Sequence, residues 1–545
     1  MPPESNGLRS TPMSVAEKIQ SVTSDLDPAR HPEKIDASMR EFLDRLKQLG
    51  ELIVVTEEVD PRNFELSSIV QHMENGPNKA ILFENVKGFD MPVVANLYGT
   101  VHRCALAVGI EPTPEQLARY QDDPRGSPGA MSGMSGRKMN GFAMDQTSRA
   151  EMILVKELLL DADRRAYDKE CPYVVVDSGP CHDVVIKDDI DLLKMLPVVW
   201  HLREDAGPYI TPGGLVQKDP DNGLLNIGVR RHMVSDKRYA PNQMGVQIGT
   251  QTPGGKIVQK YHDRGEPAPM AICLGADPVT QLLSTYSSPH YWMDPPYSEF
   301  DMTGVIRNRP LELVKCKTID LEVPASTEIV IEGYSPPPPD NKIEEGPMME
   351  FTDYSGTVVE AIPYMVVTAI THRQNPIFHT CMSGNSEEHR VGCIWSFMGY
   401  EQMALEQIKK QFPHVKDIGI CAGSHGFHAI VSMKKTYEGE DRQVLQYLLA
   451  TQYFKFVTVV DDDIDPHNSE QVEWAKATRA GRHVEDYIIS PQMPTWEMDP
   501  EIDKHWRVTK LGILATRDIA ESYTQPSPDT AVMEKMRPIY EKYIR

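Results

Sequence analysis

The chain has 545 residues, of which 40% are hydrophobic and 25% charged, with a formal net charge of −23. That balance describes a globular chain too long for one ordinary core, so two or three domains are expected. The negative charge opposes nonspecific attachment to nucleic acid or an anionic membrane, and no apolar run reaches the roughly 18 residues of a membrane span.

In chain order, residues 1–35 read as a polar lead-in, and MPPESNGLRSTPM lacks the apolar stretch of a secretory signal. DASMREFLDRLKQLGELIVV predicts a helix and then a strand: Met39, Phe42, Leu43 and Leu46 recur at helical spacing, and Gly50 can end the helix. AILFENVKG (80–88) and MPVVANL (91–97) are strand-like. Residues 108–168 alternate helix-like pieces with the insert DDPRGSPGAMSGMSGRKMNG, read as a surface excursion whose methionines could otherwise meet a partner subunit. From Tyr173 onward, YVVVDSG, LPVVWHL, LLNIGVRRHMV, APMAICLG, LELVKC and TEIVIEGY are short β-branched runs that predict a large β domain with some helices. IWSFMGYEQMALEQIKKQF (394–412), stopped by Pro413, predicts one long connecting helix. IGICAGSHGFHAIVSMKK, a helix near 438–450 and FKFVTVVDDDID predict an α/β unit. Eight cysteines without a CxxC pair point to reduced thiols in a cytoplasmic protein.

Two stretches carry candidate chemistry. In LLNIGVRRHMV, strand alternation puts Asn226, Gly228, Arg230 and His232 on one face and Ile227, Val229, Arg231 and Met233 on the other. Gly228 permits close approach of a flat ligand or a phosphate. Arg231 shares its face with apolar residues and therefore needs a partner, either a structural acid or a ligand carboxylate gripped by the guanidinium fork. EEGPMMEF sets Glu345 and Glu350 on either side of a stiff Gly346-Pro347 turn. This is a solvated loop, or else a buried pair in which one acid keeps a proton to donate and the other holds an arginine. Spacing alone leaves open whether these three side chains meet. Weaker clusters have structural readings: SEEHR (386–390) as a helix cap, DDDID (461–465) as a turn, and GSHGFH (423–428) as packed histidines. Arg479 and Lys510 are candidates to approach an active site or a subunit boundary.

NIGVRRHMV (226–234), CLGADP (273–278), ELVKC (312–316), DLEVPASTEIVIEGY (320–334), EGPMMEFTDY (345–354) and FVTVVDDDID (456–465) resemble the UbiD family of prenylated-FMN-dependent decarboxylases. The similarity runs from about residue 36 to residue 520. The resemblance implies an α/β multidomain fold: an N-terminal α/β region (36–170), a central split β-barrel cofactor domain (171–390), a linker helix (391–412) and a C-terminal α/β oligomerisation domain with a closing tail (413–545). It implies an Arg–Glu–Glu triad at Arg231, Glu345 and Glu350. It implies cofactor binding by Asn226, Gly228, Arg230, Met233 and Glu299, with Asn226 and Glu299 as ligands of a divalent metal, Mn2+, and K+ as a further ion. The family's third metal ligand, a histidine downstream of Met233, is replaced by GVQIGTQTPGG, and His262 in KYHDRG is the nearest substitute. Met348, Met349 and Asp353 also depart from the family pattern and point to an unusual substrate pocket.

The implied reaction is reversible, non-oxidative decarboxylation of an aromatic or heteroaromatic acid through a covalent substrate–cofactor adduct. The implied partners are that acid, a flavin prenyltransferase that supplies the cofactor, and further copies of the chain in a dimer or hexamer. Two alternatives are a decarboxylase of an aromatic acyl thioester bearing a free carboxylate, and a noncatalytic cofactor-binding or delivery protein. The complete triad argues against the last.

Overall fold

Met39, Phe42, Leu43 and Leu46 are all buried along one side of the helix Met39–Gln48, as their spacing predicts. The Ser38 side chain accepts the Glu41 N–H at its start, and Gly50 takes φ 73° just beyond its end. The computed structural model describes residues 27–120, 146–235, 237–250, 252–286, 296–352, 354–356, 360–420, 424–451, 453–495, 499–503, 505–520 and 529–544. The insert at 122–141, most of the polar lead-in and Asp353 lie outside the described residues.

The helix leads into a four-stranded sheet ordered Leu52–Val55, Ala80–Phe83, Val93–Ala95 and Phe378–Thr380. The second and third strands are shorter than their apolar runs. Asn96 stands at φ 54° and turns the chain, its amide donating to Asn78 and to the Lys79 carbonyl. The fourth strand arrives from far along the sequence and pairs in parallel with Val93–Ala95. The region after the β domain is thereby built into the N-terminal sheet.

The β domain is an eight-stranded, antiparallel split-barrel sheet. Along its main path the order is Lys342–Glu345, Glu360–His372, Ile329–Ser335, Ala268–Leu274, Tyr209–Lys218 and Leu225–Met233; Val184–Ile186 and Gln243–Gly245 add to Glu360–His372. Its inner residues, among them Leu215, Ile272, Ile331 and Met365, join one core with the N-terminal Ile81 and Phe83.

The long helix covers Glu387–Gln411 and so begins earlier than the 394–412 expected. The reason is local. Ser386 caps it by accepting the His389 N–H, and Glu387 and Glu388 place negative charge at its positive end. Gly392 obscures that beginning in the sequence. Beyond the helix, a five-stranded mixed sheet runs Val415–Ile420, His428–Met433, Phe456–Asp461, Arg507–Ala515 and Tyr487–Pro494. The DDDID acids form an ion network here, Arg479 contacting Asp461 and Asp463 at 2.7 Å and Arg517 joining Asp463. Lys510 is fully buried and donates to the carbonyls of Leu449 and Thr451 at the end of the helix Glu440–Leu449. Both basic residues are thus taken up within the C-terminal region, Arg479 at the end of the helix Ser469–Arg479 and Lys510 in the sheet. Among the described residues no helix is long and apolar enough to cross a membrane.

The start of the long helix docks on the N-terminal region through a buried acid. Glu74 accepts the Glu387 N–H at 3.0 Å, and burial, with the neighbouring Glu387 and Glu388 charges, pushes its carboxyl up to about 8. A carboxyl raised in the folded state lends stability that is complete below its unfolded value of 4.5 and is lost as pH rises through about 8. Glu74→Gln accepts the same N–H and never ionises. The melting-temperature difference between this variant and wild type should therefore widen in the variant's favour from about pH 5 to 8, then level off. Parallel melting curves across that range would contradict the burial of an ionisable group at this contact.

Candidate active site

The strand Leu225–Met233 supplies the basic centre and the loop 346–350 brings the acids to it. Glu345 ends the strand Lys342–Glu345, and Gly346 turns at φ 87°. The chain then forms a short hairpin, Met348–Met349 against Ser355–Gly356, and Glu350 follows with its N–H on the Tyr354 carbonyl at 2.9 Å. The turn is braced from beneath. Met348 packs in a buried cluster with Tyr209, Met233 and Tyr239, the Arg238 guanidinium donates to the Gly346 carbonyl at 2.9 Å, and Tyr239 donates to the Glu344 carbonyl.

The three predicted side chains meet. Arg231 Nη2 donates to Glu345 Oε2 at 3.2 Å, and Arg231 Nη1 donates to Glu350 Oε1. Arg231 Nε also lies 3.2 Å from Glu345 Oε1, in a direction that makes an ion contact and leaves both buried atoms without a hydrogen bond. Glu345 is 3% and Glu350 8% exposed, so the trio is shielded from water while retaining unused hydrogen-bonding capacity.

The wall around Glu350 is aromatic. Phe351 meets the His389 ring edge-on at 5.7 Å and the His425 ring, from the C-terminal region, at 5.5 Å. His389 Nδ1 donates to the Gly384 carbonyl at 3.0 Å, which fixes the tautomer that leaves Nε2 as an acceptor, and burial pulls its ring down to about 4. His201 is likewise held down to about 3 by burial, its Nε2 against Thr380 Oγ1 at 2.8 Å. Both rings are neutral near pH 7.

A second cluster lies toward the start of the same strand. Asn226 Nδ2 donates to Glu299 Oε1 at 2.8 Å, and the Ile227 N–H donates to Glu299 Oε2 at 3.2 Å. Glu299 opens the helix Glu299–Arg307 behind a Ser298–Asp301 capping box. Arg230 is half-buried and donates to the Val229 carbonyl. A Cβ built at Gly228 meets nothing closer than the Arg230 side chain at 3.4 Å, so the backbone there admits a flat group. Hard oxygens beside a guanidinium and an open backbone fit a flavin phosphate with an oxygen-coordinated cation. His262 contacts Asn341 instead, at 3.4 Å. Among the described residues no three His, Cys, Asp or Glu side chains converge to hold a metal, so a cation here would complete its shell from phosphate oxygens and water. Met233 lies wholly in the Tyr209 cluster under the loop.

Sequence reasoning missed Asp205, Ser383, Tyr209 and Tyr239, which hold the acid loop by long-range contacts. Of these only Asp205 carries a local signal, an acid directly ahead of the strand Tyr209–Lys218 in REDAGPYI, and that pattern equally describes an ordinary turn.

Comparison with known proteins agrees along nearly the whole chain. The N-terminal, Rift-related and C-terminal domain models of 3-octaprenyl-4-hydroxybenzoate carboxy-lyase match residues 43–120, 173–386 and 396–515. An uncharacterized protein of Archaeoglobus fulgidus is 31% identical over 503 residues, covering 91% of this chain and 95% of that protein. The UbiD-class enzyme HmfF from Pelotomaculum thermopropionicum, solved with FMN, is 29% identical with a TM-score of 0.69, covering 92% of this chain and all of HmfF. The vanillic acid decarboxylase of Sedimentibacter hydroxybenzoicus is 28% identical and superposes in its closed form with a TM-score of 0.75, covering 94% of this chain and 100% of that one. Its open form superposes with 0.67 at 26% identity, covering 93% of this chain and 99% of that one. With all three domains matched in order around the Arg231 cluster, the chain belongs to the UbiD family of prenylated-FMN-dependent carboxy-lyases.

Proposed function

We propose that this enzyme decarboxylates an aromatic or heteroaromatic carboxylic acid, reversibly and without net oxidation. The observation that carries the reading is the buried contact of one guanidinium with two carboxylates, Arg231 with Glu345 and Glu350. Prenylated FMN, when bound, supplies the electron sink that loss of carbon dioxide from an sp2 carbon requires. Arg231 grips the substrate carboxylate through its fork, and Glu345 keeps the guanidinium oriented. The incoming carboxylate competes with Glu350 for Arg231. Glu350, freed from that ion pair among like charges, is suited to hold a proton and deliver it to the carbon that loses carbon dioxide. The aromatic wall of Phe351, His389 and His425 excludes water from that step.

Asn226, Glu299, Gly228 and Arg230 hold the cofactor phosphate with a divalent cation, Mn2+, and K+ as a second ion. Met233 contributes from below by packing. A flavin prenyltransferase supplies the cofactor, and the free cysteines among the described residues suit a cytoplasmic setting. The chain works as a homo-oligomer, a dimer or hexamer. Support comes from the helix Thr530–Ile544, where Met533, Met536, Ile539 and Tyr540 stand exposed.

The direct test is production with a flavin prenyltransferase followed by assay against a panel of aromatic acids, with mass spectrometry of the released flavin. Carbon dioxide release and a flavin heavier than FMN are expected; full activity with unmodified FMN alone would refute the cofactor assignment. Glu350→Gln preserves size and loses the transferable proton, so single-turnover decarboxylation should slow by about 100- to 10,000-fold with flavin content unchanged. Arg231→Ala should impair substrate binding and chemistry together. Near wild-type turnover in Glu350→Gln would remove that residue from proton delivery. Glu299→Gln should instead lower metal and flavin content together, and equal contents in variant and wild type would show the cation to be held elsewhere.

A further inference from the structure

We infer that Asp205 is a positioning residue whose carboxylate locks the loop bearing Glu350 to the segment that opens the long helix, and so sets where the acid stands beside Arg231. Asp205 is 3% exposed, and among the described residues its carboxylate accepts hydrogen bonds from three uncharged donors and from no cation. Its Oδ1 accepts the Met349 N–H at 2.8 Å. Its Oδ2 accepts the Leu202 N–H at 3.1 Å and the Ser383 hydroxyl at 2.6 Å. Burial pushes the carboxyl upward, and the Ser383, Met349 and Leu202 donors, with the Arg231 charge, oppose that push.

The geometry reaches Glu350 through a single residue. Met349 directly precedes the acid. Its N–H is held by Asp205, and its carbonyl accepts the Gly384 N–H at 2.9 Å. Gly384 stands at φ 72°, and a Cβ there would press on Leu202 at 2.9 Å and approach Met349 at 3.5 Å, so glycine is needed for this approach. One turn further on, Ser386 caps the long helix. Asp205 is itself anchored from the N-terminal region. Its carbonyl accepts the Trp200 indole N–H at 3.1 Å, the Trp200 N–H donates to the Pro61 carbonyl at 2.9 Å, and the indole meets Phe64 edge-on at 5.5 Å. A carboxylate serves all three donors at once, whereas an amide has one oxygen and would turn an N–H toward one of them. Arg231 is held by Glu345 as well as by Glu350, so loss of Asp205 should move the acid while Glu345 keeps the guanidinium in place.

The rate prediction rests on the decarboxylase reading; the structural one stands without it. In Asp205→Asn, amide hydrogen exchange at Met349 and Gly384 should quicken by at least about threefold to tenfold while the C-terminal sheet is unchanged. With the loaded enzyme, kcat should fall about 10- to 100-fold with KM within about twofold and flavin content preserved. Ser383→Ala, which removes one donor and keeps the backbone, should give the same pattern at smaller amplitude and serves if the asparagine variant does not fold. Unchanged exchange in Ser383→Ala, or a fall in activity matched by an equal rise in KM or loss of flavin, would overturn the inference. Faster exchange in a protein whose wild type decarboxylates no aromatic acid would uphold the positioning and refute the decarboxylase reading.

Discussion

A guanidinium and two carboxylates, taken out of water together, constrain everything around them. Arg231 is largely buried, as are Glu345 and Glu350, and desolvating such groups is costly unless their geometry is fixed. A flexible loop would let the acids relax toward solvent and dissolve the cluster. The surrounding structure therefore supplies rigidity: a barrel strand for Arg231, a strand end for Glu345, and a hairpin pinned at both faces of Met349 for Glu350. Arg231 Nε and Glu345 Oε1, buried without a hydrogen bond, face each other at 3.2 Å as an ion contact.

The topology follows from the need to hold that hairpin. The strand Phe378–Thr380 leaves the barrel and joins the N-terminal sheet, so the segment after it starts from a fixed base. That segment carries Ser383 and Gly384 against the acid loop and then enters the long helix. The helix connects to the C-terminal sheet, whose His425 returns to pack on Phe351 beside Glu350. The Phe351–His425 contact ties the acid loop to the C-terminal region. The start of the long helix and the acid loop are thus joined through residues 383 and 384.

How much of this was legible depends on how local the cause is. The helix at Met39 was readable because its four buried residues obey one period. Leu225–Met233 was readable as a strand, although its burial does not alternate, and Arg231 among apolar residues already demanded a partner. Which partner it takes was not readable from spacing; the likeness of EGPMMEFTDY to a family motif named Glu345 and Glu350, and both side chains contact Arg231. The strand Phe378–Thr380 is too short to show a period and exists because Val93–Ala95 offers it an edge. Asp205 depends on donors far away in the chain, and no window of sequence contains them.

The two methionines that set this chain apart illustrate the same division. Read from sequence, both reshape the pocket. In the fold, Met348 is 2% exposed and packs on Tyr209, Met233 and Tyr239, so it belongs to the floor that carries the hairpin. A thioether suits that floor because it fills the irregular space between two tyrosine rings without requiring a hydrogen bond. Met349 is half-buried beside Leu202 and Gly384, with its backbone committed at both ends. Its side chain therefore adjusts only within the space left by a fixed peptide. The opposite wall, formed by Phe351, His389 and His425, joins three rings from two parts of the chain and depends on how closely the C-terminal region approaches.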